Sequence, residues 1–167
     1  MNAFLLSQIL AAIALGVGFA SYQFKGTRGI LLSMVVSNLL NSSHFVLLDR
    51  PGPAALQLVT ATRLATAAFT SDRRVMLFFL VGTAAVFLAT ATNALSLLAC
   101  VGTLIATYGS FQPDNRRLRL FLMAGNSLWL AHNILAATPV GAITEAAYLT
   151  SNVIGYRRHH SKRAGTG

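Results

Sequence analysis

Charge is scarce in this chain, and acid is scarcer. Only 10% of the 167 residues are charged, against roughly 25% in an ordinary soluble domain, and four of them are acidic. Asp49, Asp72, Asp114 and Glu145 are scattered singly, so no paired carboxylates stand ready for acid–base chemistry. Cysteine is nearly absent. Cys100 is alone, which excludes an internal disulfide and any CxxC redox or zinc motif. It lies in an apolar run and is expected as small core filler. No Gly-rich phosphate loop and no nucleophile elbow occurs. These absences argue against an enzyme, and no cofactor or metal is expected.

Apolar residues fill the space instead. They make up 54% of the chain, and the mean hydropathy is +0.61. A water-soluble fold this apolar would lack the polar surface to cover itself, so the lipid bilayer is the partner that makes the composition sensible. The net charge of +9 comes from thirteen Lys and Arg, but these sit in short clusters between apolar runs. That placement fits membrane topology and not a nucleic-acid face.

A span needs about 20 mostly apolar residues. Runs at about 3–24, 29–48 and 51–70 qualify, the third carrying Gln57 and Arg63. Residues 75–111 carry no charge at all. As one helix they would extend about 55 Å, well beyond the roughly 30 Å hydrocarbon core, so they must fold back. Thr90-Ala91-Thr92-Asn93 is the expected turn, dividing spans at 75–89 and 94–111. Further spans at 119–137 and 139–156 make seven. No Lys or Arg precedes the first run, so it is expected as a span and not as a cleavable signal. With the N-terminus outside and the C-terminus inside, eleven positive residues fall in the inner connections and only Arg50 in the outer ones. Tyr22, Tyr108 and Tyr156 fall at inner ends, where a phenol can sit among headgroups.

The chain also repeats itself. Shifted by 88 residues, Arg28 falls on Arg116, Asn38 on Asn126, His44 on His132 and Pro51 on Pro139. In all, nine of the 35 positions from Arg28 to Thr62 are identical, where chance at this composition would give about three. With one residue inserted, Ser21-Tyr22-Gln23 matches Ser110-Phe111-Gln112. The expected architecture is therefore an all-α membrane protein with two parallel three-helix repeats, residues 3–70 and 94–157. A linker helix at 75–90 joins them, and residues 158–167 form a basic cytoplasmic tail. One span between the copies makes them parallel, related by an axis along the membrane normal.

These features carry a resemblance. The three-one-three order resembles the SWEET and PQ-loop (MtN3-like) transporter superfamily, with Gln23 and Gln112 standing where the glutamine of its Pro-Gln signature stands. The proline is replaced by Tyr22 and Phe111. The stretch from Gln23 through Asn38, His44-Phe45-Val46-Leu47-Leu48 and on to Arg63 resembles the YgjV-type bacterial inner-membrane protein family. That likeness spans about residues 5–158. It implies a multi-pass protein of the bacterial cell inner membrane and names no substrate.

Polar side chains inside spans are costly and mark candidate sites. Asn38, Asn41 and His44 recur at three-residue spacing, with Asn126, Trp129 and His132 at the matching positions. Glu145, Tyr148 and Asn152 follow i, i+3, i+7 and form one polar stripe. Asn38, Asn41, Asn126, Trp129, Glu145, Tyr148 and Asn152 are the candidate solute-binding residues. His44, His132 and Glu145 are candidates for a gating or proton-linked role. Asn and Ser also serve as packing glue between helices, and Glu145 could pair with a cation. The functional expectation is a transporter or facilitator for an unidentified small solute, with its path on the pseudo-twofold axis. The alternative is a non-transporting partner subunit or scaffold. A homo-oligomer is compatible with either.

Overall fold

A computed structural model describes residues 2–90 and 94–160 of the chain. Among them are seven α-helices and no strand: α1 (Ala3–Ser21), α2 (Thr27–Leu47), α3 (Pro51–Phe69), α4 (Arg73–Thr90), α5 (Ala94–Ser110), α6 (Asn115–Leu135) and α7 (Pro139–His160). Contacts divide the chain after Phe69 into two compact units. In the first, α2 packs against both α1 and α3; in the second, α4, α5, α6 and α7 pack in sequence. Of the expected turn Thr90-Ala91-Thr92-Asn93, Thr90 ends α4 and the other three lie outside the described residues.

The scarce acids explain several helix starts. Asp114 caps α6, accepting from the backbone N–H of Arg116 at 3.2 Å and of Arg117 at 3.3 Å. Asp72 does the same for α4, accepting from Arg74 N–H at 2.7 Å. Asn2 caps α1 through Phe4 N–H. Pro51 and Pro139 open α3 and α7, where a missing N–H costs nothing. The Asp114 cap starts α6 four residues earlier than the apolar run suggests, so Arg119 is not a loop charge but sits one turn inside the helix. At the other end, α7 continues through Arg157 to His160, because cations suit a helix C-terminus.

The α2–α3 and α6–α7 turns are built alike. Asp49 and Ala137, 88 residues apart, have φ of 56° and 53°. In the first turn Arg50 N–H reaches Phe45 C=O at 2.9 Å and Asp49 N–H reaches Val46 C=O at 3.0 Å. In the second, Thr138 N–H reaches Asn133 C=O at 2.9 Å and Ala137 N–H reaches Ile134 C=O at 3.1 Å. Both are Schellman closures, made here without the usual glycine. Helix crossings also correspond. Ser37 Oγ donates to Ala14 C=O at 2.7 Å where α2 crosses α1. At the positions 88 residues on, Gly125 and Gly102 meet so closely that a Cβ on Gly125 would lie 2.9 Å from Gly102 O.

Many of the buried residues are small or polar, and many large apolar ones lie outside. Ser7, Ala14, Ser37, Ser42, Ala54 and Ala61 are buried, whereas Phe78, Leu88 and Val140 are 74%, 80% and 78% exposed. Tyr22 departs from the interfacial expectation. It follows α1 directly as its C-cap, and its ring is enclosed at 2% exposure. Cys100 is buried, as expected.

Candidate functional site

Each unit holds one histidine tie. On α2, His44 Nδ1 lies 2.8 Å from the C=O of Ser7 on α1. On α6, His132 Nδ1 lies 3.0 Å from the C=O of Leu95 on α5. A carbonyl can only accept, so Nδ1 carries the hydrogen in both rings. In the neutral ring Nε2 is then the basic nitrogen. His44 packs edge-on against Phe45, with centroids 4.9 Å apart. His132 packs edge-on against Trp129 at 5.3 Å, and Trp129 Nε1 donates to Thr103 Oγ1 at 3.3 Å. The Trp129–His132 pair thus belongs to the α5–α6 seam.

The other candidates fall into two groups. Asn38, Asn41, Asn126, Glu145 and Tyr148 are all half-buried. Asn38 Nδ2 donates back to Met34 C=O of its own helix at 2.8 Å, which leaves its carbonyl oxygen for another donor. Asn152 stands apart, because it is fully buried. Its Oδ1 accepts from Arg119 Nη1 at 3.4 Å, and its Nδ2 donates to Arg119 C=O at 3.0 Å. The stripe on α7 therefore divides: Glu145 and Tyr148 keep partial exposure, while Asn152 is engaged inside the protein.

Arg119 is the residue that sequence reasoning missed. Among the described residues it is the largest fully buried side chain. Its Nε donates to Asn115 Oδ1 at 2.8 Å, and His160 Nε2 reaches the same oxygen at 3.0 Å. Beside it, Arg116 Nε donates to Tyr156 OH at 3.0 Å. Asn115 and Arg119 are one turn apart on α6, and the Asp114 cap was the available signal that both lie on a helix. Burial and the cation of Arg119 hold the His160 ring below the usual histidine range. Asp114 opposes that shift, while His159 and Arg116 add to it.

The first unit handles the same end differently. Arg28 Nε donates to Ala68 C=O at 3.1 Å, closing the end of α3, and its guanidinium lies 5.2 Å from the Phe69 ring centroid. Arg28 and Arg116 thus reach to positions 68 and 156, each 40 residues on.

Comparison with known proteins supplies the setting. The model of the family Imp-YgjV, bacterial inner membrane protein, matches residues 5–163. The chain belongs to this family. It is also similar to the inner membrane protein YgjV of Escherichia coli (strain K12), with 26% identity over 152 residues that cover 91% of this chain and 83% of the relative. No solved structure matches.

An inner-membrane Imp-YgjV chain gives the inside-out packing a physical reason. Lipid tails can accept exposed apolar side chains, while small residues let helix backbones approach and hydroxyls bond across helices. By length and apolarity alone, two described helices can cross a membrane, α1 and α2, and the shorter stretch Leu95–Ser110 is also apolar. Of the candidate site residues, Asn38, Asn41 and His44 lie on α2 and the others on α6 and α7. Among the described residues no three His, Cys, Asp or Glu gather to hold a metal ion.

Proposed function

We propose that this chain is a multi-pass inner-membrane protein that moves a small solute. It would cross the bilayer seven times, with the N-terminus outside and the basic ends of α6 and α7 inside. Helices α1–α3 and α5–α7 would act as parallel three-helix repeats joined by α4, the order that resembles SWEET and PQ-loop transporters. The observation that carries this reading is the recurrence of the histidine tie: His44 to Ser7 and His132 to Leu95, each pair 37 residues apart and displaced by 88. Parallel repeats related by an axis along the membrane normal are a recurring plan among transporters. Half-buried Asn38, Asn41, Asn126, Trp129, Glu145 and Tyr148 are the polar groups assigned to solute contact. His44, His132 and Glu145 are assigned to proton linkage.

Three of the four acids lie in turns or helix caps, which leaves Glu145 as the only carboxylate within a span. As a neutral acid it donates a hydrogen bond; as a carboxylate it only accepts. Protonation therefore changes what it can hold. The test is uptake by proteoliposomes, screened over sugars, amino acids and small amines across a pH range. Flux above that of empty vesicles is expected for one class, with a pH dependence that Glu145→Gln flattens while expression stays normal. No flux for any class would overturn transport and favour the partner-subunit reading. Transport that stays fully pH-dependent in Glu145→Gln would remove Glu145 from the mechanism.

A further inference from the structure

The α6–α7 end of the second unit is built differently from its counterpart 88 residues earlier. α3 ends at Phe69, which corresponds to Arg157. α7 runs on past that point to His160, so the extra length carries Arg158, His159 and His160 beyond Arg157. Arg116 and Arg157 are exposed. The Tyr156 hydroxyl holds the Arg116 guanidinium against α7, and Asn115 Oδ1 holds the His160 ring against α6. Two helix ends bearing cations are thus tied together, although their charges repel.

Acceptors are short at this end. Asn115 Oδ1 already takes two donors, Arg119 Nε and His160 Nε2. The Asp114 carboxylate is engaged with the backbone N–H groups of Arg116 and Arg117. Asn115 Nδ2 is enclosed with no acceptor among the described residues. Among the described residues, Asp114 is the one acid at this end, beside the exposed cations of Arg116, Arg117 and Arg157, and the chain belongs to a family that sits in a membrane.

We propose that Arg116 and Arg157, with His160 three residues on from Arg157 along α7, bind the phosphate headgroup of an anionic phospholipid at the α6–α7 end. Arginine suits this task because its planar fork meets two phosphate oxygens at once. The Tyr156 bond positions Arg116 before the lipid arrives, which lowers the ordering cost of binding. This site requires a membrane location and does not require transport. At the corresponding end of the first unit, Arg28 is turned onto Ala68 C=O and Phe69 instead, so one such site is expected per chain.

The full chain in detergent, titrated with fluorescent phosphatidylglycerol, tests the site. Each arginine facing an anionic lipid is worth about fivefold in affinity, so Arg116→Gln with Arg157→Gln should lose about 25-fold. Arg73→Gln with Arg74→Gln, at the start of α4, should lose much less. Inorganic phosphate at matched concentration should not displace the lipid. A second readout needs no variant. His160 is faced by Arg119, Arg116, His159 and Asp114, and an added phosphate should raise its NMR titration midpoint in phosphatidylglycerol nanodiscs relative to phosphatidylcholine. Equal losses in the two double variants would reduce the effect to diffuse attraction and overturn the proposal. Displacement by inorganic phosphate would assign the site to the free ion and overturn the lipid. An unmoved His160 midpoint would overturn it in the unmodified protein.

Discussion

The histidine ties make a prediction that spectroscopy can decide. His44 and His132 each place Nδ1 within 3.0 Å of a helix carbonyl. If the hydrogen moved to Nε2, two lone pairs would face each other and the bond would be lost. Leaving a half-buried polar group unsatisfied costs about 1–3 kcal/mol, which is a tautomer ratio of about 5 to 150. The neutral rings should therefore populate the Nδ1–H form by at least about fivefold. His160 supplies the internal contrast. Its Nε2 faces Asn115 Oδ1, which also accepts from Arg119, so it should carry its hydrogen on Nε2. Nitrogen-15 NMR of histidine-labelled protein at alkaline pH separates the two forms, and His44→Gln and His132→Gln assign the signals. Finding His44 and His132 in the Nε2–H form would refute the ties and remove Nε2 as their basic nitrogen.

Two further tests address packing and topology. Gly125→Ala would place a Cβ 2.9 Å from Gly102 O and 3.1 Å from Ala106 Cβ, and overpacking of this kind costs about 1–3 kcal/mol. Gly82→Ala meets nothing within 4 Å and shares the helix-propensity gain, so the difference between the two in micellar unfolding isolates the crossing; equal stabilities would refute it. In a Cys100→Ser background, a cysteine at Gly52 should be labelled from outside intact cells, and cysteines at Gly26 or Pro113 should not. The opposite pattern would overturn the proposed orientation.

Much of the fold was legible because apolar runs and prolines mark the helices without ambiguity. Pro51 and Pro139 begin α3 and α7 at the expected residues. The identities at His44 and His132 pointed to positions that make the same backbone contact. The Schellman turns were not legible, because Asp49 and Ala137 share no side-chain type and neither is glycine. The start of α6 was missed because Arg116, Arg117 and Arg119 look like a loop when charge is read before capping. Asn152 was legible as part of a polar stripe, but its engagement with Arg119 was not, since spacing along one helix carries no information about a side chain on another. Tyr22 misled for a related reason: an aromatic at the end of a span reads as interfacial until the turn that encloses it is known.

The buried pair of Arg119 and Asn152 has apolar counterparts in the first unit. At the positions 88 residues earlier stand Leu31 and Leu64, which are 0% and 4% exposed. The second unit thus buries a hydrogen-bonded polar pair where the first buries two leucines. Asn152→Leu alone would strip Arg119 of a hydrogen bond to a charged group, worth about 1.5–3 kcal/mol. Arg119→Leu alone would leave the Asn152 amide oxygen buried without its donor, at about 1–3 kcal/mol, while Nδ2 keeps the backbone carbonyl of residue 119. Making both changes places the two residue types that the first unit buries at these positions, and a matched apolar replacement of a buried polar set is often neutral or stabilising. The double variant should therefore recover most of the summed loss, with a coupling of about 0.5–3 kcal/mol in micellar unfolding. If Arg119 is kept only for stability, the double variant should also keep the phosphatidylglycerol affinity of the unmodified chain. Strictly additive destabilisation would mean that the two units do not share a packing frame at these positions, and would remove a support for treating them as repeats.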